Sequence, residues 1–276
     1  MTTYELGLSP CPNDTFIFHA LLHGCVPLEG LQLTPFFADV EALNHRCLAR
    51  ELPFSKISLG VISSIMEEYA LLSSGAALGF GCGPLVVAKR PFSQEELRHA
   101  RVAIPGFLTT TNLLLSLTGQ FGGERREMIF SDVMGAVEKE EADLGVLIHE
   151  GRFTYERHGL VKIMDLGAWW EENMHLPLPL GAIVVRRDVP AKTAHAVELA
   201  IQKSLQYGWK HPEASRAFIK EHAQELADEV IGAHIKTFVT EYSADLGEKG
   251  REAIRILVEQ ASKMQGKTLP REGLFL

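Results

Sequence analysis

The chain has 276 residues, 46% of them apolar, and a formal net charge of −8 from 35 acidic and 27 basic side chains. That length favours two lobes over a single core, and the acidic balance argues against nucleic acid or an anionic membrane as partner. The first thirty residues hold no Lys or Arg, and the four cysteines form no CxxC pair. A secretory signal and a redox or zinc motif are therefore not expected. No stretch approaches the roughly 20 apolar residues of a membrane span, so the composition predicts a cytoplasmic protein with free thiols.

Short apolar runs alternate with helical patterns from the start. Tyr4–Ser9 reads as a strand and Thr15–His23 as a helix closed by Gly24. Leu31–Ala38 and Ser55–Val61 read as strands, with helices over Val40–Glu51 and Ser64–Leu72. After Gly79-Phe-Gly-Cys-Gly83, read as a flexible crossover, comes the apolar strand Pro84–Ala88. A second set follows: strands Arg101–Ile104, Met128–Ser131, Leu144–Ile148 and Leu180–Arg186, with helices Thr110–Gln120 and Val133–Glu141. This rhythm predicts an α/β fold. Beyond Asp188 only helices are expected, one with Val197, Ile201, Leu205 and Trp209 on its apolar face. A second carries Ile254, Leu257, Val258, Ala261 and Met264, with Gly266 as its stop. Packing this tail on the first set makes one lobe of residues 1–88 and 181–276 and another of 89–180. Two crossovers between two lobes predict a cleft for a small molecule.

Four segments can carry chemistry. Ser9–Thr15 follows the first strand, where ligands sit in open α/β sheets; Asn13, Asp14 or Thr15 can equally cap the next helix. Thr109, Thr110 and Thr111 stand at a helix start, whose N–H groups and hydroxyls suit either a cap or a carboxylate. Lys56-Ile57-Ser58 reads on pattern as a solvated strand edge. His149 ends a buried strand, and an imidazole is the natural general base near neutral pH. Glu150 points to the opposite face if the strand continues, so it is not expected to orient His149. His19 and His23 have metal-pair spacing without the HExxH glutamate or a third ligand.

Several of these segments carry a resemblance. LSPCPNDTFIFHALLHG, SKIS, SGAALGFGCGPLVV, PGFLTTT, GVLIHEGRFTYERHGL, DLGAWWEE, LPLPLGAIVVRRD and HAQELADEVIGAHI resemble, in the same order, the 1,4-dihydroxy-6-naphthoate synthase family. The resemblance implies a two-lobed fold like type II periplasmic binding proteins. It implies a cytoplasmic lyase that needs no metal or organic cofactor and acts on cyclic dehypoxanthinylfutalosine. It also implies that His149 is the proton acceptor, and that Lys56, Ile57, Ser58, Thr110 and Thr111 contact substrate. The family often has a small residue such as Ala where Thr111 stands, which points to a backbone contact there. A chorismate dehydratase of the same fold is the nearest alternative enzyme. A solute-binding protein for an aromatic carboxylate is the non-catalytic alternative.

Overall fold

The computed structural model describes residues 2–149, 151–223, 227–270 and 273–276. In chain order its strands are β1 (Thr2–Leu8), β2 (Leu31–Phe37), β3 (Phe54–Ser58), β4 (Tyr69–Leu71), β5 (Ala77–Gly79), β6 (Leu85–Ala88), β7 (Val102–Ile104), β8 (Arg125–Glu127), β9 (Leu144–Leu147), β10 (Val161–Asp165) and β11 (Leu178–Arg186). The chain divides into two units, Met1–Gly79 with Pro179–Leu276, and Phe80–Leu178.

In the first unit the sheet runs β2-β1-β3-β11-β4, with β5 also on β11. β1 is parallel to β2 and β3, whereas β11 is antiparallel to β3 and β4. β3 lies inside this sheet, and every residue of Phe54–Ser58 is buried, so it is not the solvated edge its polar residues suggested. The helix Pro12–Leu22 carries Phe16, Ile17, Phe18, Ala20 and Leu21 around its circumference, and all are buried. A helix apolar all round must be covered on more than one side. Leu6, Leu8, Phe54, Ile183 and Val185 of the sheet share its core with Val197, Ile201 and Leu205 of the helix Ala191–Lys210. Each such side chain contributes about 1.5–3 kcal/mol on burial. The apolar stripe stops short of the helix end, because Trp209 is exposed. In the helix Gly247–Gln265 the buried apolar residues likewise end at Ala261, Met264 is exposed, and Gly266 closes the helix at φ 66°.

The second unit has the sheet order β10-β6-β9-β7-β8. β7 is parallel to β8 and β9, and β6 is antiparallel to β9 and β10. Leu85, Val87, Ala103 and Leu147 of the sheet bury against Val133 and Val137 of the helix Phe130–Glu138. Thus β6, assigned from sequence to the first lobe, belongs to this sheet, and the first boundary falls at residue 79/80 where 88 was expected.

Two further expectations change. Ser64–Leu72 is not one helix; a short turn Ile62–Ile65 gives way to β4. The strand placed over Met128–Ser131 lies earlier, at β8, and Phe130 already opens a helix. No helix among the described residues is long and apolar enough to cross a membrane.

Candidate functional site

In the first unit, Ser9 follows β1 and Ser58 ends β3, the carboxyl ends of neighbouring parallel strands. The segment between Ser9 and Thr15 does not cap its helix in the expected way. Cys11 is the N-cap residue and makes no side-chain capping bond, Pro12 is the first helical residue, and Thr15 Oγ1 donates back to the Cys11 carbonyl at 3.0 Å. Proline suits that position because its missing N–H would have no helical partner. Asp14 turns inward and is fully buried. Its carboxylate accepts from Ser9 N at 3.2 Å and Ser9 Oγ at 3.0 Å, and from Asn13 Nδ2 at 2.8 Å.

The fourth donor to Asp14 is Lys56, whose ammonium lies 2.8 Å from Asp14 Oδ1 and 3.2 Å from the Gly75 carbonyl. Gly181 makes room for its stem; a Cβ there would meet Lys56 Cε at 3.2 Å and the Ile57 carbonyl at 2.7 Å. A carboxylate can only accept, so the Asn13 group facing Asp14 is its NH2. The Asn13 oxygen therefore accepts from His234, whose Nε2 lies 2.9 Å away and carries the proton. Residues from SPCPND, SKIS, SGAALG, LPLPLG and the helix Asp228–Phe238 thus converge on one buried ammonium. At the end of β3, Ser58 N donates to Asn44 Oδ1 at 3.0 Å, and Asn44 donates on to Glu41 at 3.0 Å. The side chain of Lys56 is engaged within the protein, and Ser58 is the member of its stretch at the carboxyl end of the strand.

In the second unit, Thr109 is the N-cap of the helix Thr110–Thr118. Its hydroxyl accepts from Asn112 N at 3.2 Å and donates to the Gly106 carbonyl at 2.7 Å. Thr110 and Thr111 form the first helical turn and are buried. His149 lies just past β9 at φ 53°, a left-handed backbone uncommon outside glycine. Its ring meets Phe130 edge-on, with centroids 4.9 Å apart. The register of β7 with β9 pairs Val102 with Leu144 and Ala103 with Gly145. Both chains therefore leave the sheet at the same end, one toward Thr110 and the other into His149. The expectation about Glu150 lies outside the described residues.

Other sequence signals resolve into packing. A Cβ on Gly83 would stand 2.2 Å from Cα of Gly167, and Gly81 N donates to Glu171 Oε1 at 2.7 Å. The residues Gly81–Gly83 are docked on the helix Leu166–Met174, not a loose crossover. His19 and His23 stack at 4.4 Å. His23 Nδ1 donates to the His19 carbonyl at 2.9 Å.

Taken together, two sheet-containing lobes and two chain crossings define a fold like that of periplasmic binding proteins. The aliphatic sulphonate-binding protein of Escherichia coli matches with a TM-score of 0.68, covering 100% of this chain and 92% of its own at 9% identity. A crystal structure of an Archaeoglobus fulgidus protein is much nearer, with a TM-score of 0.89 and 32% identity over 96% of this chain and 98% of that one. The chain belongs to the menaquinone biosynthesis family, whose profile matches residues 4–263. Among its relatives are the 1,4-dihydroxy-6-naphthoate synthases of Thermus thermophilus and Streptomyces coelicolor. The Thermus protein is 46% identical, covering 95% of this chain and 94% of its own. The Streptomyces protein is 42% identical, covering 94% and 93%.

Proposed function

We propose that this chain is a carbon–carbon lyase converting cyclic dehypoxanthinylfutalosine to 1,4-dihydroxy-6-naphthoate and dihydroxyacetone, with His149 as general base. The observation that carries the reading is the 46% identity to a protein of that named activity along 95% of the chain. His149 is the group suited to the proton transfer. It lies just past the buried strand β9 in a left-handed backbone conformation, and such conformations cluster at functional sites. The imidazole removes a hydroxyl proton from the substrate. The carbon–carbon bond to the sugar-derived fragment breaks, the fragment takes up a proton as it leaves, and the ring system becomes aromatic. Aromatisation supplies much of the driving force. Thr110 and Thr111 are the candidate substrate contacts at the helix start of the second unit, Thr111 through its backbone; Lys56, Ile57 and Ser58 are the candidate contacts of the first unit.

The test is incubation of the purified protein with cyclic dehypoxanthinylfutalosine, without added metal, followed by chromatography for a dihydroxynaphthoate. The expected result is product formation by wild type and a loss of about 10²–10⁴-fold in His149→Ala. Tight substrate binding without product over hours would instead identify a binding protein. Turnover by His149→Ala within about tenfold of wild type would remove the histidine from the chemistry.

A further inference from the structure

Most cations of the second unit are engaged or exposed. Lys89 is paired with Glu140 and Arg90 with Glu96, each at 2.8 Å, and Arg101 with Asp143 at 2.9 Å. Arg125 donates to Ser116 Oγ at 2.7 Å and to the carbonyls of Asn112 and Phe121 at 3.2 and 3.3 Å. The remaining Lys and Arg side chains of the unit are exposed, with one exception. Arg152 is partly buried, and its Nη1 is shut off from water with no hydrogen-bond partner among the described residues. Its guanidinium stands 5.6 Å from the Phe153 ring centroid, and its charge acts on the buried Cys82 thiol.

A desolvated guanidinium N–H without an acceptor is unfavourable, and such a group in a native fold calls for an explanation. The planar fork of arginine matches a carboxylate, which can accept two parallel hydrogen bonds. Arg152 sits in the helical turn Gly151–Thr154, three residues beyond His149. The threonine hydroxyls at Thr109–Thr111 offer hydrogen bonds but no charge.

We propose that Arg152 recognises the aromatic carboxylate shared by substrate and product, and so determines which ring systems the site accepts. This rests on the function proposed above. The assignment gives the bound molecule a direction: its carboxylated ring lies toward Arg152, and the end that loses its fragment lies toward His149.

The experiment compares anaerobic binding of 1,4-dihydroxy-6-naphthoate with that of 1,4-dihydroxynaphthalene, which lacks only the carboxylate, alongside turnover kinetics. Wild type is expected to prefer the carboxylate by about 100-fold or more, because a site built around a charged partner leaves its own group unpaired with the analogue. Arg152→Met is expected to lose most of that preference while binding the naphthalene about as well as wild type. Its KM rises by about tenfold or more with kcat changed much less, and Arg152→Lys recovers part of the loss. A variant that folds poorly is bypassed in the wild-type protein by phenylglyoxal labelling read by mass spectrometry. There the naphthoate should protect Arg152 and the naphthalene should not. An undiminished preference in Arg152→Met, or equal protection by both compounds, overturns the assignment. Preference without turnover in wild type would sink the catalytic reading and leave Arg152 standing; turnover with preference intact in Arg152→Met would do the reverse.

Discussion

The buried pair of Asp14 and Lys56 makes an unequal prediction for its two halves. Lys56→Met leaves the Asp14 carboxylate with three donors, from Ser9 N, Ser9 Oγ and Asn13 Nδ2. Asp14→Asn leaves the Lys56 ammonium near the Gly75 carbonyl and an amide oxygen, with no other carboxylate paired to it among the described residues. Breaking a buried ion pair by removing one partner costs about 3–5 kcal/mol. Lys56→Met belongs near about 3 kcal/mol and Asp14→Asn near about 5 kcal/mol on that scale. For a unit of this size each kcal/mol lowers Tm by about 2–4 °C. The double variant Asp14→Asn/Lys56→Met buries no charge and should recover to within about 2 kcal/mol of wild type, far from additivity. Urea unfolding of the four proteins, followed by calorimetry, reads these differences. Equal losses in both single variants would refute the argument from remaining donors. A double variant as unstable as the sum of the singles would refute the ion pair as the source of the loss.

Three further outcomes are expected. Gly83→Ala drives a Cβ into the Gly167 backbone, which no rotamer can relieve, so thermal unfolding should show a loss of about 3 kcal/mol or more. Gly135→Ala, inside a helix with open space around it, should gain about 0.5–1 kcal/mol. Burial, then the neighbouring His23, holds the His19 imidazole below its usual value. As pH falls below about 6.5 the unfolded chain takes up a proton there before the folded one does, so stability declines; the fall in Tm between about pH 7.5 and 5.5 should be smaller in His19→Gln. Burial pushes the Cys47 thiol up to about 11 and the Cys82 thiol up to about 12, and Cys11 is also buried, whereas Cys25 is exposed. Iodoacetamide at about pH 8 should therefore label one cysteine in the native protein and four in denaturant, counted by mass spectrometry.

The parallel strands flanked by helices were legible because β1, β7 and β9 end in apolar runs followed by loop and cap residues. The strands missed or misplaced in the second unit were its edges. β8 is Arg125-Arg126-Glu127, and β10 has no fully buried residue, so neither carries the apolar run that marks an inner strand. Ser64–Leu72 misled for the opposite reason. It is buried at most positions, so its apolar residues fit a helix as well as β4. His149 was visible as a polar residue at a strand end, but its left-handed backbone and its contact with Phe130 were not. Asp14 could not be matched to Lys56 from sequence, since 42 residues separate them. Arg152 carried a signal that was readable: a cation three residues beyond the candidate base, in a segment with few others.

The position of β11 bears on the order in which the protein is completed during synthesis. It fills the sheet of the first unit between β3 and β4, yet it is translated only after the whole of Phe80–Leu178. The residues up to Gly79 therefore emerge with the flank of β3 unpaired. They also lack the helix Ala191–Lys210 that covers Phe16 and Ile17. Phe80–Leu178, in contrast, holds every strand of its own sheet by the time it leaves the ribosome. The inserted unit can close first, while the amino-terminal segment waits with an open strand edge for the carboxyl-terminal part of the chain. The unit begun first is the one finished last, and the nascent chain is most exposed to aggregation between those two events.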